Sequence, residues 1–269
     1  MHELHALVVW HDGRLAVGEY GGGYGRDKPH ALYSGTKSFW GVAALAAQRD
    51  GVLALDERVA DTIPEWQGDD RKRRVTLRQL LQLTSGFAFG GLGAAVPPYA
   101  KALALPLANE PGTRFTYGGI PLQVFGAVFA RKLASRGQTP HEYLRARILD
   151  PIGMQVGSWR TLADGTNPLP TGAFVAAPQW LKYGQFVCEH HDEYAECFAG
   201  SAANARYGLG FWLRGAAGPA DLAYASGSGG QAMYIVPSQR MVVVHFGGSA
   251  SFKHDAFLKR LFPRAGVAA

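Results

Sequence analysis

Only two of the 269 residues are cysteine, Cys188 and Cys197. That count excludes a disulfide-stapled scaffold and a four-cysteine zinc site. No stretch supplies the roughly 20 uninterrupted apolar residues that a membrane span needs. Charged residues are sparse at 18% while hydrophobic residues reach 47%, which excludes a disordered chain. Several catalytic signatures are missing as well. Without Gly-x-Ser-x-Gly there is no nucleophile elbow of the α/β-hydrolase kind. Without a Gly-Lys pair there is no P-loop, and neither His-Glu-x-x-His nor Gly-x-Gly-x-x-Gly occurs. The opening Met1-His2-Glu3-Leu4-His5 has no basic start leading into a long apolar run. The expected location is therefore cytoplasmic, and periplasmic or secreted only if a leader has been trimmed away.

What is present is enough for one large domain over 1–269, or two lobes sharing a cleft. At this length folding hides roughly 75% of the extended-chain surface, so neither a disulfide nor a metal staple is needed for stability. No cofactor is expected. The net charge of +6 permits weak attraction to anionic surfaces. It does not make a nucleic-acid binder, because the one dense basic run, Arg71-Lys72-Arg73-Arg74, reads as a solvated loop ahead of a helix. Cys188-Glu189-His190-His191-Asp192, with Cys197 nearby, superficially resembles a metal site. Adjacent histidines point apart on either a helix or a strand, so a polar helix end with two buried cysteines is expected and no metal.

Hydrophobic periodicity outlines the architecture. Ala6–Trp10 and Leu15–Val17 flank His11-Asp12-Gly13-Arg14, and Asp-Gly between apolar runs predicts a hairpin. Lys37 to Arg49 is proline-free, rich in Ala, and stops at Asp50-Gly51, which predicts a helix with a glycine terminator. Helices are further expected over 75–83, 122–133 and 141–149, and an amphipathic one over 252–262. Loops are expected at 87–98 and 164–170, and strands at 208–213, 233–237 and 241–246. Strands at both ends with helices between them predict an α+β fold. Its sheet lobe is expected from 1–33 and 205–269 and its helical lobe from 34–204, with the ligand cleft between them.

The stretch that carries chemistry is Leu32-Tyr33-Ser34-Gly35-Thr36-Lys37. Serine and lysine three apart lie on one face of a helix. Ser34 is placed in the first turn, where free N–H groups favour developing negative charge. A lysine buried one turn later loses its proton more easily, because desolvation disfavours the charged form. Neutral Lys37 can then take the proton of Ser34 as that oxygen attacks a carbonyl. The bare pattern also fits a helix cap beside a surface lysine, but the apolar helix behind it disfavours a surface position for Lys37.

These residues, in this order, resemble the serine β-lactamases of class C, the DD-peptidases, and their family VIII esterase and nylon-oligomer hydrolase relatives. Ser34-Gly35-Thr36-Lys37 is similar to the family's nucleophile motif. Asp56-Glu57-Arg58-Val59 with Ile63-Pro64, and Val75 to Leu81 with Thr84-Ser85-Gly86, are similar to two further landmarks, although Leu83 stands where a histidine is common. Pro111-Gly112-Thr113-Arg114-Phe115-Thr116-Tyr117 is similar to the approach to the second motif, and Pro151-Ile152-Gly153-Met154 to a later one. The resemblance implies a β-lactamase/transpeptidase-like fold and assigns Ser34, Lys37 and Tyr117 as the catalytic set. It makes Tyr117 a proton shuttle with Lys37, and a phenol beside a cationic lysine is expected to have a lowered pKa.

The second motif departs from Tyr-x-Asn, since Gly119 occupies the asparagine position. For the third motif the candidate is Ala225-Ser226-Gly227-Ser228-Gly229-Gly230-Gln231, with the register open by two or three residues and no cation in first place. Its glycine-rich form resembles the nylon-oligomer hydrolase branch more than the lactamase branch. The resemblance implies an oxyanion hole from the backbone N–H groups of Ser34 and Ser228, with Gly119, Ser226, Gly227, Gly230 and Gln231 in the oxyanion and substrate-binding set. Loss of the asparagine and of the cation removes groups that favour an acyl-D-Ala or penicillin. The expected function is therefore a serine hydrolase of carboxylic esters working through an acyl-enzyme. The alternatives are a small-amide hydrolase of the nylon-oligomer type, a weak β-lactamase or DD-peptidase, and a non-catalytic penicillin-binding-like protein. The expected partner is a small-molecule ester or amide.

Overall fold

The computed structural model describes residues 3–90, 95–215, 217–249 and 251–263. Nine strands are found among them. These are β1 (Leu4–His11), β2 (Arg14–Tyr20), β3 (His30–Ala31), β4 (Ser158–Trp159), β5 (Ala173–Val175), β6 (Trp212–Leu213), β7 (Ala223–Gly227), β8 (Gln231–Val236) and β9 (Met241–Gly247). The α-helices are α1 (Ser38–Arg49), α2 (Val59–Thr62), α3 (Leu77–Leu81), α4 (Tyr99–Ala104), α5 (Ile120–Leu133), α6 (Pro140–Leu144), α7 (Ala177–Glu189) and α8 (His254–Leu261).

Both chain ends meet in one antiparallel sheet of order β2-β1-β9-β8-β7-β6. The first hairpin turns on Asp12 and Gly13, both at positive φ (45° and 84°), as a tight right-twisted connection demands. Val8 of β1 pairs with Val244 of β9, and Met233 of β8 pairs with the same valine from the other side. Every residue of β8 is buried, because helices cover both faces of the sheet. On one face α7 packs against β1, β8 and β9. Gly184 makes that approach possible, since a Cβ there would meet Val242 and the sulfur of Met233 at 2.5 and 2.9 Å. On the other face Leu258 of α8 joins Val9, Tyr234, Val236 and Val243 in a separate cluster.

Helix α1 is buried without a break from Ser38 to Ala47. The family landmarks prove to be mutual supports. Arg78 ties Asp56 at 2.6 Å and Glu196 at 2.7 Å, joining two of them to a third segment. Thr76 caps α3 in a reciprocal box with Gln79. The turn that follows holds the second motif, with Gly112 N–H donating to Thr84 O and Thr116 N–H to Leu83 O.

Several expectations change. The strand expected over 208–213 shrinks to Trp212–Leu213, because Gly210 turns at φ 87° where it crosses the start of α1. A Cβ on Gly210 would strike the carbonyl of Lys37, so this segment is a brace rather than a ladder. The helix expected over 141–149 is α6 followed by a π-type turn, Arg145–Leu149. Helix α7 has no counterpart among the expected elements, although Trp180, Leu181, Tyr183, Val187 and Cys188 follow helical spacing and are buried. It lies within 34–204 yet packs on the sheet. Of the expected loop 87–98, residues 91–94 lie outside the described residues.

Candidate active site

The nucleophile motif is built at the junction of a small sheet and α1. Strand β3 pairs with β5, which also pairs with β4, and Leu32 N–H donates to Ala173 O at 2.9 Å. Tyr33 then adopts φ 47°, a conformation uncommon for a residue with a side chain. Residues Tyr33–Lys37 form a 3₁₀ turn that feeds α1. In such a turn residues i and i+3 eclipse, so Lys37 lies directly beneath Ser34. Its Nζ is 3.0 Å from Ser34 Oγ and 3.1 Å from the carbonyl of Pro170. The side chain is buried, and desolvation alone lowers its pKa to about 7. At neutral pH a large fraction of this amine is unprotonated and can accept the serine proton.

Tyr117 also reaches the serine, through a hydrogen bond between the two side chains. Its ring stacks on Trp212 at 5.5 Å and meets Tyr207 edge-on at 6.1 Å, which fixes its plane. The expected lowering of its pKa is not found. Burial pushes the phenol up, and its hydrogen bond with Ser34 pulls it down by less. The reason is geometric: Lys37 Nζ sits over the ring face, 4.9 Å from its centroid, and the amine itself tends to be neutral. Tyr117 therefore remains a protonated donor at neutral pH.

The third motif is brought alongside by one close approach. A Cβ on Gly227 would collide with the carbonyl of Leu32, so only glycine lets β7 lie against the chain entering the nucleophile turn. The next residue, Ser228, then lines the cleft together with Ser34. Ala225, the first residue of the candidate third motif, is buried among the core residues. Gly119 lines the cleft at the start of α5. A Cβ there would lie 3.1 Å from Pro170 Cγ and 3.8 Å from Val96, so the asparagine position is filled by neighbours.

Of the expected binding set, Gly230 and Gln231 do not line the cleft. Gln231 is buried and spends its amide on the carbonyls of Ser228 and Gly247, at 3.0 and 2.7 Å. It shapes the turn that carries Ser228. Gly230, at φ 90°, faces Phe252, and its carbonyl is bonded by His245 Nδ1.

The cleft has two arms that share Ser34, Tyr117 and Ser228. The first, of about 320 Å³, is lined by Tyr33, Val96, Gly119, Pro170 and Arg160. The second, of about 520 Å³, is lined by Phe89, Trp212, Tyr224, Ser226 and His254. Pro170, Trp212, Arg160 and His254 were not anticipated from the sequence. No local spacing marks them, since each reaches the site from a distant segment. The cysteine–histidine run lies elsewhere: Cys188 and Cys197 are buried, His190 bonds the carbonyl of Phe186, and His191 stacks on Phe198.

The model of the family described as Beta-lactamase matches residues 5–182. The chain belongs to the β-lactamase family. The matched span includes Ser34, Lys37 and Tyr117 and ends before the third motif. Over 159 residues this β-lactamase-family chain is 28% identical to monacolin J acid methylbutanoyltransferase of Aspergillus terreus, covering 48% of the chain and 37% of that protein. The chain thus matches well under half the length of that curated relative. In fold it is similar to a penicillin-binding protein of Bacillus halodurans, with TM-score 0.75, 18% identity and 97% of both chains covered. It is similar also to EstCE1, a hydrolase with promiscuous acyltransferase activity, with TM-score 0.74, 16% identity and 91% and 88% covered. The β-lactamase/transpeptidase-like fold is thereby established, and the family is one of serine hydrolases.

Proposed function

We propose that this β-lactamase-family chain hydrolyses carboxylic esters through an acyl-enzyme on Ser34. The observation that carries the reading is the 3.0 Å contact between Ser34 Oγ and a fully buried Lys37 whose pKa is lowered to about 7. In the first half-reaction neutral Lys37 takes the hydroxyl proton as Ser34 Oγ bonds to the ester carbonyl carbon. The tetrahedral oxyanion is received by the backbone N–H groups of Ser34 and Ser228. The C–O bond then breaks, Tyr117 gives its proton to the departing alkoxide, and the lysine ammonium reprotonates Tyr117. In the second half, water attacks the acyl carbon and passes a proton to Lys37. Collapse releases the acid, and Lys37 returns the proton to Ser34.

Ester substrates fit the departures from the family pattern. Gly119 and Ala225 withdraw the amide and the cation that would hold a peptide or lactam side chain and its carboxylate, so lactamase and peptidase turnover should be weak. The test is hydrolysis of short-chain p-nitrophenyl esters by wild type and Ser34→Ala. Turnover that vanishes with Ser34 supports the reading, and equal turnover in both reduces Ser34 to a helix cap.

A second reading, acyl transfer to an alcohol, is favoured by the aromatic arm beyond Ser34, which offers an acceptor a place that water does not need. Acyltransferases and a hydrolase with acyltransferase activity are among its relatives. Adding a primary alcohol to the ester assay and measuring the share of transesterified product separates the two.

A further inference from the structure

Ser226 is not alone in the aromatic arm. Its Oγ lies 2.8 Å from Nε2 of His254, and Nδ1 of the same ring lies 2.7 Å from the hydroxyl of Tyr234. The three residues come from β7, α8 and β8, so the chain of contacts exists only in the folded protein.

The direction of each hydrogen bond follows from proton accounting. Tyr234 is fully buried, and its hydroxyl has no other polar partner among the described residues. Burial also keeps this phenol protonated. A buried donor left unpaired is costly, so the hydroxyl gives its proton to Nδ1 of His254. Desolvation lowers the His254 pKa to about 4, so the ring is neutral and carries its one proton on Nε2. That N–H donates to Ser226 Oγ. The serine's own proton is then left to point into the cleft. Tyr234 and His254 together convert Ser226 into an oriented, uncharged donor.

The rest of the arm agrees in character. Phe89, Tyr117, Trp212 and Tyr224 supply aromatic surface, and no residue lining the arm bears a full charge. Asp255, next to His254, acts on both His254 and Tyr224 with a negative field, and Arg206 acts on Tyr224 with an opposing one. A carboxylate entering here meets neutral hydroxyl donors and no lining cation, which does not repay its desolvation. An uncharged ring with a carbonyl or ether oxygen loses far less on entry and accepts the Ser226 proton.

We infer that Tyr234 and His254 are positioning residues acting through Ser226, and that this arm selects an uncharged aromatic alcohol bearing an acceptor oxygen, as leaving group or acceptor, over an anionic one. The inference rests on the ester reading for the arm's role, but its test does not depend on turnover. Isothermal titration of the full chain with 4-hydroxyacetophenone and with 4-hydroxybenzoate compares the two charge states on one ring. The wild type should bind the ketone at least about tenfold more tightly, because the carboxylate must give up its hydration to enter. Ser226→Ala and His254→Phe should each weaken ketone binding by about tenfold, the loss expected for one hydrogen bond. His254→Gln, whose amide can replace the Nε2–H donor, should restore ketone binding, which a merely structural role for His254 does not predict. Equal binding of the two probes, binding of neither, or ketone binding that survives Ser226→Ala overturns the inference. Absence of ester hydrolysis, in contrast, overturns the ester reading and leaves the binding ratio to decide this one.

Discussion

Lys37 reaches the carbonyl of Pro170, 133 positions away in sequence, at 3.1 Å. That bond anchors the amine under Ser34 without supplying a charge to hold its proton. Desolvation therefore decides its ionisation, and the loop after β4 holds the amine that the proposed mechanism uses as base.

The first consequence is a pH profile. Only neutral Lys37 has a lone pair for the serine proton, and its pKa is lowered to about 7. The kcat/KM for a p-nitrophenyl ester should rise with pH through an apparent pKa near that value and then level off. A profile flat between pH 5.5 and 8.5 would remove Lys37 as the base.

The same burial has a cost in stability. Unfolded, the lysine keeps its proton up to about 10.5, while the folded protein releases it near 7. The penalty is full below pH 7 and is relieved as pH rises toward 10.5, because the unfolded state then binds the extra proton. Lys37→Met should abolish turnover yet raise stability at pH 7 by roughly 2 kcal/mol, with the gain shrinking at pH 10. Urea melts at the two pH values measure both effects.

Tyr117→Phe keeps the stack on Trp212 but removes the proton for the leaving group. The kcat should fall by about a hundredfold or more on esters of poor leaving alcohols, and by less on p-nitrophenyl esters, whose leaving group needs little help. Equal losses on both series would place Tyr117 outside the proton path.

Gly119→Asn rebuilds the family's second motif on paper. Here its Cβ presses on Pro170 Cγ at 3.1 Å, and Pro170 carries the carbonyl that holds Lys37. The variant should lose about tenfold in esterase kcat and gain no measurable lactamase activity in a nitrocefin assay. A gain in lactam turnover would show that the missing asparagine alone sets the substrate class.

Gly227→Ala places a methyl against the carbonyl of Leu32. Strand β7 must retreat and take Ser228 with it. A loss of about 1–3 kcal/mol in urea melts should accompany a fall in kcat that exceeds any change in KM. A stable variant of unchanged kcat would separate Ser228 from the oxyanion hole.

Much of this arrangement is legible locally. Asp12-Gly13 announces the first hairpin, the apolar run after Lys37 announces α1, and Ser34 and Lys37 three apart announce one shared face. Each is a short-range property, set by backbone sterics or helical period. Helix α7 was legible too, because its buried residues keep a helical spacing, but Pro178 and Gly184 obscure the pattern.

The remainder is decided by contacts between distant segments. The sequence by itself determines the α+β class through local patterning and puts Ser34 and Lys37 on one face, while the order of its motifs carries the resemblance that implies the β-lactamase/transpeptidase-like fold and a role for Tyr117. Only the tertiary structure decides that Pro170 holds Lys37, that Gln231 bonds the turn around Ser228, that the Tyr117 phenol is pushed up, and that His254 meets Ser226. Those outcomes depend on burial and on hydrogen bonds between segments up to 133 residues apart. Neither quantity has a value until the chain has closed on itself.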